Sequence, residues 1–267
     1  MFLYPNSMKT VYNIPLPICS HVIEEKLFTE FSAYVSLQIF SDGILTLNEA
    51  AAALSSLKNL KSLKSRKKCI NKLVQLRWIG WDKIKNVVYL RKIDSFVSIT
   101  NSSYQKVVPF YKSNLSTAKS FVHAAVLLQK LEKQKSAIFL QSRKKSAVKK
   151  SNAAQQTSYC GLGKYGLATL FKCSAGQAVK IKCRLVADGY ITTRKRTKKI
   201  HTLSHADMSM RPHLNVAFPG ISDRLTFVKN KNGGVDIHQQ LHDEMKSKTC
   251  IKKRKFLFDG IRALHAA

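Results

Sequence analysis

This sequence is short of acid. Its 267 residues include 15 Asp and Glu against 46 Lys and Arg, a formal net charge of +31. A surplus of that size repels itself in any compact state and is best tolerated beside a dense polyanion, a nucleic acid before an anionic membrane surface. Neutralising backbone phosphates releases condensed counterions, which makes such binding strong and salt-sensitive. Acidic residues are missing altogether from Ala50 to Trp81 and from Lys133 to Ala187, while lysine and arginine continue through both windows. Those windows are the expected regions of polyanion contact.

Further absences narrow the class. The six cysteines, Cys19, Cys69, Cys160, Cys173, Cys183 and Cys250, contain no C-x-x-C pair, so neither a disulfide framework nor a zinc knuckle is expected and the thiols read as free, in a reducing compartment. Cys173, Cys183, His201 and His205 miss the short ligand gaps of a structural zinc site. No apolar run reaches the roughly 18 residues that a membrane span needs. The start, MFLYPNSMKTVYNIPLPICSH, lacks a basic region ahead of an apolar core, so a cytoplasmic protein without a signal peptide is expected. Catalytic spellings are missing as well. GLGKYG at Gly161 lacks the spacer and the following Ser or Thr of a P-loop. There is no H-x-x-R, H-x-H or D-x-D, which removes the signatures of tyrosine recombinases, rolling-circle relaxases and metal-dependent nucleases. The chain is therefore expected not to be an enzyme and to use neither metal nor cofactor.

What is present can fold: 45% of residues are hydrophobic, too many for a disordered polycation, and the length suggests two domains. IEEKLFTEFSAYVSLQIF, Ile23 to Phe40, places Leu27, Phe31, Tyr34, Val35 and Gln38 at helical spacing and predicts a core helix. Thr46 with Glu49 makes a capping box for a second helix, and KSRKKCINKLVQL, Lys64 to Leu76, makes a third. WIGWDKIKNVVYLRKI then reads as a hairpin turning at Lys83 to Asn86. A similar order recurs: Ser116 to Lys135 with Val122, Ala125, Val126, Leu128 and Leu131, then YGLATLFK, then SAGQAVKIKCRLVAD, then a basic hairpin in GYITTRKRTKKIHTL. A shift of 112 residues, from Lys72 to Arg184, lays KLVQLRWI over RLVADGYI and Lys68 over Lys180, so apolar matches apolar and basic matches basic.

LATLFKCSAGQAVKIKCRLVADGYI, Leu167 to Ile191, resembles the helix-turn-helix of the winged-helix superfamily. Leu167, Phe171, Cys173, Ala178 and Ile181 fill the apolar places, Ala168 the small one, and Lys172 stands where a turn glycine is usual. The resemblance implies a mostly α fold with small β wings: two winged-helix units, each three helices plus a β-hairpin, and a short α+β tail. The expected organisation is an N-terminal extension (1–19), a first unit (20–95), a linker (96–115), a second unit (116–205) with a basic insertion near 141–158, and a basic tail (206–267). The insertion reads as a polar linker or the frayed end of a basic helix. In the tail, RLTFVKNKNGGVDIHQQLHDEMKSK suggests a hairpin at Asn232-Gly233-Gly234 and a short helix, and KKRKFLFDGIRAL ends in a basic turn suited to a phosphate clamp or an oligomer contact.

At 100° per residue, Ala178, Ile181 and Leu185 face one side of the later helix and Gln177, Lys180 and Arg184 the other. In the earlier helix Cys69, Ile70, Leu73 and Leu76 face in, leaving Lys68, Asn71, Lys72 and Gln75 outside. Arginine suits guanine and glutamine suits adenine in a major groove, while lysine holds phosphate equally well. The hairpins add Arg194, Lys195, Arg196, Lys198 and Lys199 in the second unit and Lys83 and Lys85 in the first, placed for phosphate or a minor groove. The expected partner is double-stranded DNA, without a membrane and with a homodimer left open. The architecture resembles plasmid replication initiators, which implies binding to origin repeats or an operator, and a transcription regulator of a phage or mobile element fits equally. The alternative is a structural nucleic-acid condenser or virion-associated protein that uses charge without reading sequence. RNA is disfavoured because A-form grooves shut side chains out.

Overall fold

A computed structural model describes residues 11–41, 43–57, 59–91, 104–145, 160–195, 197–203, 225–231, 234–241, 243–248 and 251–255. Strand β1 (Val11–Pro15) leads directly into α1 (Leu16–Glu24), whose Leu16, Ile18, Cys19, Val22 and Ile23 are all buried. The helix expected from Ile23 onward is broken: Lys26 adopts φ 57°, and α2 (Phe28–Phe40) starts afresh beyond it. Then come β2 (Ile44–Thr46), α3 (Leu47–Ala53), α4 (Leu63–Gln75), β3 (Ile79–Asp82) and β4 (Val87–Leu90). Thr46 and Glu49 form the capping box at the start of α3: the Glu49 carboxylate accepts from the Thr46 amide at 2.8 Å, and the Thr46 hydroxyl accepts from the Glu49 amide at 3.2 Å. β2, β4 and β3 pair in that order, with Ile44 opposite Tyr89 and Trp81 opposite Val88.

The second half follows β5 (Tyr104–Tyr111) and a 3-10 turn at Lys112–Thr117: α5 (Ala118–Lys145), β6 (Cys160–Gly161), α6 (Lys164–Phe171), α7 (Ala175–Ala187) and β7 (Ile191–Arg194). Five strands follow among the described residues: β8 (Thr197–Leu203), β9 (Leu225–Lys229), β10 (Val235–Gln240), β11 (Glu244–Ser247) and β12 (Lys252–Lys255).

The fold is an α+β mix and not the mostly helical one expected; about half of the described residues are helix and more than a quarter strand, in four three-stranded antiparallel sheets. Two winged-helix units with an appended tail do not describe it. β3 pairs with β4 and β9 with β10 as expected, and the other strands come from segments whose local spelling hides them. Residues read as extension, linker and tail combine in the sheet β1-β5-β12, which ties together the beginning, middle and end of the described chain. The basic hairpin expected after α7 is absent too. β7 pairs with β11, Thr193 opposite Met245, and β8 departs to pair with β10 in the sheet β8-β10-β9. The cause is burial: Met245 and Ile237 are both fully enclosed, and each draws its neighbour away from a hairpin made of charged residues. Asn232 and Gly233 of the expected tail turn lie outside the described residues, although β9 and β10 on either side pair; the helix expected in the tail is not formed, and Glu244–Ser247 is β11. KKRK forms β12 along one edge of β5.

One hydrophobic core runs through both halves, from Phe31, Ile70 and Leu73 to Phe121, Leu127 and Leu185. A chain of edge-to-face rings crosses it: Phe31 to Phe110 at 6.3 Å between centroids, Phe110 to Phe121 at 4.8 Å, and Phe121 to Tyr190 at 6.4 Å. The Tyr190 hydroxyl fastens the far end, accepting from the Asn114 amide at 3.0 Å and lying 2.8 Å from the Thr117 hydroxyl. The sheet β8-β10-β9 keeps its own small cluster of Ile237, Ile200, Leu225 and Phe227.

Candidate nucleic-acid interface

Helices α4 and α7 are built to one plan. Each begins after a serine N-cap that accepts a hydrogen bond from the amide three residues on, Ser62 from Ser65 at 3.1 Å and Ser174 from Gln177 at 3.3 Å. Each is 13 residues long. Each closes with the same bonds: Leu76 N to Lys72 O at 2.9 Å and Trp78 N to Leu73 O at 2.9 Å in the first, Asp188 N to Arg184 O at 2.8 Å and Tyr190 N to Leu185 O at 2.9 Å in the second. The residue that turns the chain is left-handed in both, Arg77 at φ 59° and Gly189 at φ 76°. Every one of these pairs is related by the 112-residue shift, so the internal repeat extends to helix length and caps.

The faces divide as helical geometry requires. Cys69, Ile70 and Leu73 of α4 and Ala178, Ile181 and Leu185 of α7 are buried. Lys68, Asn71, Lys72 and Gln75 are exposed, and so are Gln177, Lys180 and Arg184. The turn before α7, where lysine replaces the usual glycine, is made without one: Lys172 itself adopts φ 51° and ψ 47°, and Cys173 N bonds Ala168 O at 3.1 Å.

The basic residues beyond the helices are less uniform. Lys83 and Lys85 are exposed on the β3–β4 turn, which the Asp82 carboxylate holds by accepting from the amides of Ile84 at 3.0 Å and Lys85 at 3.1 Å. Lys83 also lies over the Trp81 ring, 5.7 Å from its centroid. Lys195 and Lys198 are exposed, whereas Arg194 is ion-paired to Glu244 at 2.6 Å and Lys199 to Asp236 at 2.8 Å. Asp236 also accepts from Asn230 and Thr202, and the Lys199 bond first, with these two behind it, holds its carboxyl down at about 2. Arg196 lies outside the described residues. Of the four described cations expected at one hairpin tip, Arg194 thus belongs to one sheet and Lys198 and Lys199 to another, and Arg194 and Lys199 are ion-paired.

Sequence reasoning missed the neighbour of the α4 face. Lys68, Asn71, Lys72 and Gln75 line a recess of about 700 Å³ whose other wall is Thr29 and Glu30 of α2. The Cys69 thiol beneath it is pushed up to about 12, by burial first and then by the Glu30 charge. Glu30 sits in the first turn of α2, where its charge suits the helix dipole, and no spacing rule links it to residue 68. Nor does spacing single out Lys182, which is ion-paired to Asp243 on the flank of α7.

Among the described residues no group of three or more His, Cys, Asp or Glu is placed to hold a metal ion, and no helix is long and apolar enough to cross a membrane. Comparison with known proteins identifies no relative. No family model, curated protein or solved structure matches the chain.

Proposed function

We propose that this protein binds double-stranded DNA without catalysing a reaction on it, presenting the outer faces of α4 and α7 to the duplex and acting as a replication initiator or transcription regulator in the cytoplasm. The observation that carries the reading is the pairing of two equally long, equally capped helices, each exposing two cations at matched positions, Lys68 and Lys72 in one and Lys180 and Arg184 in the other. A helix fits the width of a B-form major groove, and four cations on two such helices supply phosphate or guanine contacts. The acid-free windows of the sequence coincide with these helices. The buried free thiols Cys19, Cys69 and Cys160 suit a reducing compartment.

A second reading, charge-driven condensation without sequence preference, is favoured by the net charge of +31. Titration of random-sequence and selected duplexes over a salt series separates the two. A reader keeps a preference at high salt, and a condenser shows a steep slope and none. Replacing Lys180 and Arg184 by alanine should lower affinity and reduce the magnitude of the salt slope by about two, since each phosphate left unneutralised takes away about 0.9. Wild-type binding by that variant would exclude α7 from the interface.

A further inference from the structure

Helix α7 has a third face that duplex contact leaves unused. Between its buried and its cationic sides, Val179 and Val186 remain 39% and 40% exposed, one turn to either side of Lys182. β-Branched apolar residues gain nothing from a phosphate backbone. The Val179 end of this flank is one wall of a cleft of about 560 Å³, within the range of small-ligand sites.

The same cleft is lined by Leu162 and by Tyr165, in the first turn of α6, and by Gln239 and Gln240 at the end of β10 with Leu241 just beyond it. Tyr165 is 71% exposed, a large aromatic surface left in water beside apolar neighbours. The Lys164 ammonium lies 5.0 Å from its ring centroid. The cleft therefore has an aromatic residue, apolar side chains, the amide-bearing end of β10 and the Lys164 cation in its lining. Asp243, the acid in its lining, is paired with Lys182, so its charge is already answered.

We propose that this cleft holds one unpaired nucleotide, with the base stacked on Tyr165 between Val179 and Leu162, its edge hydrogen-bonded at the Gln239–Gln240 end of β10, and its phosphate beside Lys164. Each part of the ligand has a counterpart here. Every base offers a π face, and stacking on an aromatic ring is tolerant of which base is presented. A carboxamide both donates and accepts, as a Watson–Crick edge requires. The nucleotide is either free or a residue extruded from a strand; the second source rests on the DNA binding proposed above.

The full-length protein would be titrated with three probes: 2-aminopurine deoxynucleoside monophosphate, a duplex carrying one bulged 2-aminopurine, and the same duplex fully paired. Stacking on Tyr165 changes the 2-aminopurine fluorescence. The wild type and Tyr165→Phe should give that change with the monophosphate or the bulge. Tyr165→Ala should lose it, with affinity for that probe reduced roughly fivefold or more and affinity for the paired duplex unchanged. A response to the monophosphate identifies a free nucleotide as ligand, and a response to the bulge alone identifies an extruded residue. No fluorescence change in the wild type, or an equal one in Tyr165→Ala, overturns the proposal. The paired duplex reads the DNA-binding proposal separately, since a protein that ignores it can still answer to the monophosphate. Tyr165 is a surface residue, and circular dichroism of both variants verifies the fold.

Discussion

Acidification should loosen this protein through one buried histidine. His123 of α5 lies at the junction of the two halves, stacked on Phe28 of α2 at 4.9 Å between centroids and meeting Phe171 of α6 edge-on at 5.0 Å. Its ring is 4% exposed, and Nδ1 donates to the Lys119 carbonyl at 2.7 Å. Burial pushes its pKa from 6.5 down to about 4; the bond to Lys119 opposes this, and the charges of Lys119 and Arg184 reinforce it. In the unfolded chain the ring takes up a proton near 6.5, whereas in the folded chain it does so only near 4. Between those values the unfolded state binds more protons, so this contribution to stability is whole above pH 6.5 and is lost as pH falls through 4. At pH 5 the loss is about 2 kcal/mol. His123→Phe keeps an aromatic ring between Phe28 and Phe171 but cannot titrate. Urea unfolding of both proteins at pH 7 and pH 5 should show the wild type losing about 2 kcal/mol more than the variant over that interval. Carboxylates common to both proteins cancel in the comparison. Equal losses would mean that the ring is neither buried nor neutral as described.

Three further outcomes test the fold. Gly189, at φ 76°, closes α7 where a side chain is strained, so Gly189→Ala should cost about 1 kcal/mol, while Lys172→Gly should raise stability by up to about 0.5 kcal/mol; thermal melts that order these variants the other way would contradict the two turns. Thr46→Ala removes the capping box of α3 and should cost about 1 kcal/mol in chemical denaturation, against no change if the cap is idle. Phe121→Ala empties the centre of the aromatic chain and should cost about 3–5 kcal/mol. Both tryptophans, Trp78 and Trp81, belong to the first half, so their fluorescence transition should shift together with the far-ultraviolet one; a tryptophan signal left in place would show two cores instead of one.

What the sequence made legible was local. The faces of α4 and α7 follow from apolar spacing within one helix, and the Thr46–Glu49 box and the pairing of β9 with β10 from a few adjacent residues. Missed elements depend on distant partners. VYNIPLPIC falls in the expected N-terminal extension, yet Ile14 opposite Val108 and a fully buried Leu16 make it core. Glu244, Met245 and Lys246 have the local propensity of a helix, but pairing with Thr192, Thr193 and Arg194 and enclosure of Met245 outweigh it. Of the candidate site, the helix residues were readable because exposure there is set by periodicity. The ion pairs of Arg194 and Lys199 were not, because Glu244 and Asp236 arrive from strands 50 and 37 residues further on.

The scarce acids have a pattern of their own. Glu49 caps α3, Asp82 holds the β3–β4 turn, Asp236 ties β10 to Lys199 and Thr202, Asp243 holds Lys182, and Glu244 holds Arg194. Each of these carboxylates is used inside or between elements, where it satisfies an amide or a particular cation. None of the five is spent on Lys68, Lys72, Lys180 or Arg184. A protein that needed only solubility would scatter both signs over its surface and lower its self-repulsion. Here these five carboxylates go to ties within the fold, Glu30 is the acid that shares a recess with the α4 face, and the cations of α4 and α7 face outward, where a polyanion would relieve their repulsion.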